Sequence, residues 1–182
     1  MRKVIAAMNM SLDGFCDHTQ LSADDEIHAH YNELLRNTGT LVYGRITYQL
    51  MESYWPTLIG SPSGNKSTDD FAVLIDDVQK VVFSHTLTGV QWRNSKLVRG
   101  DLEKEIEILR QQPGKDIAIG SPGLIAAAMN LGIIDEFQFS VQPVILGQGL
   151  PLFKNIQHRI GLKLVKTKTF NCGAVTFYYQ PA

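Results

Sequence analysis

The sequence predicts an α/β fold of three layers, α/β/α, with a mostly parallel central sheet that finishes in an antiparallel C-terminal hairpin. Strands and helical stretches alternate as far as about Asn130 and strands dominate afterwards, the order of a layered α/β domain. Two apolar strands turn through a glycine straight into a helix, over 39–51 and again over 115–129. The last strand alternates Val175, Phe177 and Tyr179 with Thr176 and Tyr178, a period of two that suits the end of a sheet. At 182 residues the chain suits one domain over 1–182, large enough to bury a core of its own.

Taken in order, residues 2 to 8 form a first strand. Asp24 to Asn37 read as a helix because Ile27, Tyr31, Leu34 and Leu35 recur at helical spacing, with Asp24 placed to cap it. Leu41 to Tyr43 is a strand and Arg45 to about Ser53 a helix. Residues 60–66 are a mobile loop rich in Gly and Ser, after which Ser67 and Asp70 form a capping box for a short helix to about Asp77. Lys80 to Ser84 and Lys96 to Arg99 are strands, and Asp101 caps a helix that residues 111–114 terminate. The strand and helix of 115–129 follow, then a strand from Glu136 to Val141, a loop rich in Gly and Pro from Gln142 to Pro151, and two strands, Arg159 to Thr169 and Gly173 to Gln180. There is no internal repeat.

Composition narrows the function. With 17 basic and 18 acidic residues and a net charge of -1, the chain has no bulk attraction to nucleic acid or to an anionic membrane. Cys16 and Cys172 lie far apart without metal-ligand spacing, so free thiols in a reducing compartment are expected and a metal is not. No apolar run approaches the roughly 20 residues that span a bilayer, and the N-terminal apolar stretch is too short for a signal peptide, which predicts a cytoplasmic protein.

The two strand-to-helix junctions carry the chemistry. In the second, Gly120 lets the backbone approach a ligand, Ser121 is a good N-cap residue, and Pro122 takes the first helical position, where its missing N–H costs nothing. The free amides and the positive end of the helix dipole then face a phosphate, unless this is an ordinary turn. In the first, Arg45 and Thr47 stand in the opening turn of a helix, where the dipole disfavours a cation. Arg45 either grips a bound phosphate with its forked guanidinium, Thr47 and the turn amides adding hydrogen bonds, or lies along the surface. Two such turns in one small domain point to a dinucleotide.

These turns belong to an ordered set: the first strand followed by Ser11-Leu12-Asp13-Gly14, then Gly44-Arg45-Ile46-Thr47, Val81-Val82-Phe83-Ser84, Ile119-Gly120-Ser121-Pro122-Gly123, Gly132-Ile133-Ile134-Asp135-Glu136-Phe137, and the stretch from Pro143 to Phe153. Together they resemble the dihydrofolate reductase-like superfamily, most closely the reductase domain of the bifunctional deaminase-reductases of riboflavin biosynthesis, over nearly the whole chain. The resemblance implies a reductase using NADPH, bound across the ends of the sheet strands. By motif, Gly44, Arg45 and Thr47 would hold cofactor phosphates, and Ser84 would sit near the adenosine 2′-phosphate. Gly120, Ser121, Pro122 and Gly123 would cover the pyrophosphate, and Ala7, Ser11, Asp13 and Gly14 would line the nicotinamide. Arg99, at a strand end, is either a further ligand near the adenosine or solvated surface. An arginine beside the 2′-phosphate favours NADP over NAD, whose ribose hydroxyl calls for a carboxylate.

The implied chemistry is hydride transfer to an electron-poor carbon, a C=N of a pterin or the sugar C1′ of an aminopyrimidine, with the protein supplying alignment, exclusion of water and a proton. In dihydrofolate reductases a carboxylate on the first helix orients the pterin and aids protonation. Here Glu26 and His28 are the nearest counterparts, Asn32 lies on the same helix, and Asp13 is the other available acid. Tyr48, Met51 and Trp55 form either the apolar wall of a substrate pocket or core packing, and Ser140 is a further substrate-facing candidate. The sequence lacks the His-x-Glu and Pro-Cys-x-x-Cys zinc motif of the deaminase. Its first helix sets Asp24, Asp25, Glu26 and Glu33 against Arg36 alone, an acidic face ill suited to a phosphorylated ribose. The leading expectation is an NADPH-dependent reductase of a small heterocycle; the alternative is a nucleotide- or antifolate-binding protein without turnover. The C-terminal strands are apolar and aromatic, and an edge of that kind is normally paired or covered, so a two-fold homodimer is expected.

Overall fold

β-Branched runs bounded by Gly, Pro and Asn become strands here, and stretches with apolar residues at helical spacing become helices. The computed structural model describes residues 1–17, 19–21 and 24–182. They form β1 (Val4–Ser11), α1 (Asp25–Arg36), β2 (Thr38–Gly44), α2 (Arg45–Tyr54), α3 (Thr57–Gly60), α4 (Lys66–Asp77), β3 (Gln79–Phe83), β4 (Ser95–Val98), α5 (Leu102–Gln111), β5 (Asp116–Ile119), α6 (Pro122–Leu131), β6 (Glu136–Gln142), β7 (Leu162–Thr169) and β8 (Val175–Pro181). The eight strands follow the order β4-β3-β2-β5-β1-β6-β8-β7. β1 runs parallel to β6 and β3 parallel to both β2 and β4, whereas β8 is antiparallel to both β6 and β7. This is the α/β class with a mostly parallel sheet and an antiparallel C-terminal end. The chain divides into two compact units, Met1–Arg2 with Asp24–Ile117, and Lys3–Ala23 with Ala118–Ala182.

In the first unit, α1 buries Ile27, Leu34 and Leu35 and exposes Glu26, Glu33 and Arg36. Its start is closed by Asp24, whose carboxylate accepts from Ile27 N at 2.9 Å. Strands β2 and β3 contribute Leu41, Val42, Val81 and Val82 to the core, each worth about 1.5–3 kcal/mol when fully buried. α4 does not use the expected Ser67 and Asp70 box. Asn65 is its N-cap, accepting from Thr68 N at 3.1 Å, because the Asp69 carboxylate takes the amides of Ser63 and Gly64 and folds the loop back early. Ser67 donates instead to Asp25 at 2.8 Å, and Asp70 pairs with Lys66 at 2.7 Å. The short α3, which periodicity does not reveal, follows Pro56 at its N-cap with φ of -62°.

A buried cation anchors the start of β3. Lys80 is 0% exposed, and its Nζ donates to the carbonyls of Asp76, Val78 and Arg93 at 3.0, 2.9 and 3.1 Å. It also lies 4.4 Å from the centroid of Trp92, whose Nε1 donates to Asp76 at 2.7 Å. Arg2 plays a similar part at the chain start, donating to Thr40 Oγ1 and to the carbonyls of Leu109 and Lys115.

In the second unit, Val4 and Ala6 of β1, Ile119 of β5 and Phe137 and Phe139 of β6 are buried, and α6 adds Ile125, Ala128 and Met129. Gly132 ends α6 in the left-handed conformation that favours glycine, φ 66°. The hairpin turns at Gly173, with Phe170 N donating to Ala174 O at 3.0 Å. Along β8 the buried residues are Thr176 and Tyr178, while Val175, Phe177 and Tyr179 are half-buried, the reverse of what hydrophobicity suggests. Thr176 stands opposite Ser140 of β6, and their hydroxyls share a hydrogen bond of 2.7 Å, which satisfies both in the interior. β7 is exposed along its whole length.

Candidate functional site

Three parallel strands of the first unit end at one edge. Gly44 is in register with Phe83 and Phe83 with Val98, so Arg45, Ser84 and Arg99 leave the sheet side by side, on strands about 4.8 Å apart. Arg45 and Arg99 are both exposed. Arg45 Nη1 reaches Gln49 in its own helix at 3.2 Å, and Arg99 Nη2 donates to Leu87 O at 2.7 Å. Ser84 Oγ accepts from Thr86 N and Leu87 N at 3.1 and 3.0 Å, folding the turn that Arg99 braces. Ser84 therefore shapes this edge, and the guanidinium groups supply its positive charge.

The helix that opens at this edge, α2, has Gly44 as N-cap, no side-chain cap and no acid in its first turn; Arg45 is its first residue and Thr47, half-buried, its third. In the second unit α6 begins in the same way. Ser121 occupies the N-cap position without a side-chain cap bond, Pro122 follows, and the first turn has no acid. A Cβ placed on Gly123 would meet nothing within 4 Å, and Gly120 is half-buried at the strand end. The other long helices contrast with these two. α1, α4 and α5 are closed by Asp24, Asn65 and Asp101, and each carries acid in its first turn. The starts of α2 and α6 thus carry neither a side-chain cap bond nor an acid, so the positive end of each helix dipole is not offset by its own first turn.

Also in the second unit, the turn after β1 is stitched to the loop between β6 and β7. Leu12 N donates to Val144 O, Cys16 N to Leu150 O and Leu152 N to Gly14 O. Asp13 is the centre of this arrangement, accepting from Ser11 Oγ at 2.6 Å, Gly147 N at 2.7 Å and Leu146 N at 3.1 Å. The Ser11 hydroxyl first, then the two amides, hold its carboxyl down at about 2. Asp13 is therefore held as a hydrogen-bond acceptor that ties the two loops together. Gly14, at φ 83°, has a conformation that glycine adopts freely, and Ala7 is buried on β1. The sequence named the stretch from Pro143 to Phe153 as a motif without a role; its amides fix Asp13, a contact that no spacing rule reveals.

On α1, His28 meets two rings, Trp55 edge-on at 6.3 Å and Phe71 at 6.1 Å, and Trp55 and Phe71 themselves lie 4.4 Å apart. Burial lowers the His28 pKa, with Asp25 and then Asp24 opposing it, so the imidazole is neutral at pH 7. Asp25 is tied by Asn65 Nδ2 at 2.7 Å and Ser67 Oγ at 2.8 Å, which lower its pKa. Glu26 is exposed and Met51 half-buried. Asn32, only 3% exposed, donates to Ser67 O at 2.9 Å. Phe71, buried on α4 beneath these rings, is the member of this cluster that the sequence did not single out.

Two candidates turn out to be structural. Tyr48 is 1% exposed, its hydroxyl donating to Glu52 at 2.7 Å and accepting from Trp92 N at 3.0 Å, so it packs in the core and is no pocket wall. Ser140 is wholly buried against Thr176 and does not face a substrate. Both sit on the inward face of their element, which a motif read along the chain does not distinguish. Among the described residues no group of three or more His, Cys, Asp or Glu is placed to hold a metal, and no helix is long and apolar enough to cross a membrane.

Comparison with known proteins matches residues 2–176 to the family model of the RibD C-terminal domain. The uncharacterised protein YyaP of Bacillus subtilis (strain 168) is 32% identical over 98% of this chain and 95% of its own. Among solved structures, a Shewanella sp. PV-4 protein whose name refers to riboflavin biosynthesis superposes with a TM-score of 0.77 at 20% identity, covering 99% of both chains. The diaminohydroxyphosphoribosylaminopyrimidine deaminase/5-amino-6-(5-phosphoribosylamino)uracil reductase of Thermotoga maritima superposes with a TM-score of 0.68 at 15% identity, over all of this chain but 57% of that one. At these identities the two structures show a shared fold.

Proposed function

The chain belongs to the RibD C-terminal domain family, and from that premise we propose that it is an NADPH-dependent reductase that delivers a hydride to an electron-poor carbon of a small heterocyclic substrate, a C=N of a pterin or the sugar C1′ of an aminopyrimidine. The observation that carries this reading is the pair of open helix starts, α2 and α6, in a chain whose other long helices are closed by their own side chains. These residues fit the cofactor's phosphates. In the first unit Arg45 and Arg99, on the edge shaped by Ser84, would take the phosphate on the adenosine ribose, with Gly44 and Thr47 adding the α2 amides. Within the second unit, the family resemblance gives Gly120, Ser121, Pro122 and Gly123 as phosphate-binding and Ala7, Ser11 and Gly14 as nicotinamide-lining, with Asp13 fixing their turn. NADPH supplies the hydride. The chain supplies orientation of the ring, shelter from water and, from the start of α1, the proton.

Arg45→Ala is expected to weaken NADPH binding by about 1.5–3 kcal/mol, the scale of a charge-assisted hydrogen bond, and NADH binding by less. Calorimetric titration of the wild type with both cofactors tests the reading itself: equal affinity for NADPH and NADH would sink it.

The same reading includes a homodimer. On the β7–β8 hairpin, Leu164, Thr167 and Thr169 share a face with Tyr179, Phe177 and Val175, while Lys166 and Lys168 pair with Tyr178 and Thr176 on the other. Phe177 and Tyr179 are stacked, 5.9 Å between centroids, and Leu164 is 50% exposed. A second copy packed two-fold on this apolar face would cover it without opposing the lysines. Light scattering should give a dimer at micromolar concentration and a monomer for Phe177→Asp; a monomeric wild type refutes the assembly.

A further inference from the structure

The rings around His28 are rimmed by negative charge, and this bears on what they can hold. We propose that the substrate of this chain is a planar heterocycle with N–H donors and no phosphate, held against the His28, Trp55 and Phe71 rings, from which the start of α1 excludes anionic ligands. The inference rests on the reductase reading above and deepens it by naming the substrate's charge class.

Four observations on α1, α2 and α4 support it. His28 and Trp55 are half-buried and meet edge to face at 6.3 Å, leaving ring surface against which a planar molecule can stack. Asp24 and Asp25 both act on His28 electrostatically, and Glu26 is exposed beside them. Any anion at the rings therefore meets carboxylates and an imidazole that burial keeps neutral. The start of α1, which would otherwise attract an anion, is closed by Asp24 accepting from Ile27 N at 2.9 Å. One turn beyond His28, on the same helix face, Asn32 is 3% exposed and donates through Nδ2 to Ser67 O, while its Oδ1 has no hydrogen-bond partner among the described residues, an acceptor that a ring or amino N–H would satisfy.

The cations on these helices do not offset the rim. Lys66 and Arg36 both turn to Asp70, at 2.7 and 3.9 Å. Arg45 is the first residue of α2 and Trp55 its C-cap, about 15 Å apart along the helix axis at 1.5 Å per residue. A phosphate tail on the heterocycle would thus be repelled at the rings, with Arg36 and Lys66 both drawn to Asp70.

The test is calorimetric titration of the NADPH-loaded protein with 5-amino-6-(ribosylamino)uracil and with its 5′-phosphate, the compound in the name of the Thermotoga reductase. The unphosphorylated compound should bind at least about 10-fold more tightly, a difference of about 1.4 kcal/mol. The gap should narrow in high salt, which screens exposed carboxylates, and in Asp25→Asn combined with Glu26→Gln. Equal or tighter binding of the phosphate overturns the inference and leaves the reductase reading standing. If NADPH binds and neither compound does, nor the planar 6-hydroxymethylpterin, the ring cluster is not a substrate site and both fall.

Discussion

Lys80→Met should lower the stability of the protein by about 3 kcal/mol, because it removes the donor that satisfies three backbone carbonyls and leaves the two buried ones, of Asp76 and Val78, unpaired in the interior. The methionine fills nearly the same volume, so the loss reports hydrogen bonding and charge and not a cavity. The ammonium donates to Asp76 O, Val78 O and Arg93 O and sits over Trp92, so α4, β3 and the approach to β4 loosen together. Burial, opposed by Asp76, lowers the Lys80 pKa from 10.5 to about 8. In the pH window between those values the unfolded chain keeps a proton that the folded protein has released, so this group makes stability rise with pH across the window. Denaturant titrations of wild type and Lys80→Met at pH 7 and pH 10 should therefore show the deficit of the variant growing at the higher pH. A deficit that stays near zero at both would mean that the carbonyls find water or other donors.

His28→Gln is expected to slow the chemical step by about 100-fold, the usual contribution of a positioned general acid, with NADPH affinity nearly unchanged. His28 is the half-buried titratable ring of this cluster, and burial is the dominant cause of its lowered pKa. Its pKa lies below the ordinary 6.5, so the protonated form gains population only as pH falls beneath that value. Single-turnover rates in the wild type should rise as pH falls through this range, and the rise should vanish in His28→Gln. Glu26→Gln gives the counterpart test of the exposed carboxylate. If both variants keep the full single-turnover rate, the proton comes from water or from Asp13.

The sequence alone determined most of the elements, the short α3 excepted, and the two glycine turns into α2 and α6, because these depend on residues close together in the chain. Apolar spacing in 24–37 specifies α1 and its inward stripe, Asp24 and Asp101 specify caps, and glycine followed by Arg45 or by Ser121-Pro122 specifies a helix that opens at a strand end. The ordered motifs likewise point to the family that the matched residues 2–176 establish.

Only tertiary structure decided which way a side chain faces and what meets it across the fold. Tyr48 and Ser140 belong to motif-bearing elements, yet one is turned into the core under Glu52 and Trp92 and the other is spent on Thr176. Asp13 reads in sequence as an acid without partners, and in the fold amides more than 130 residues away converge on it. Phe71 joins His28 and Trp55 only through the packing of α4 against α1. The physical reason is the same in each case: capping and helical periodicity act over three or four residues, whereas burial, hydrogen-bond satisfaction and pKa are set by neighbours that the chain brings together from far apart.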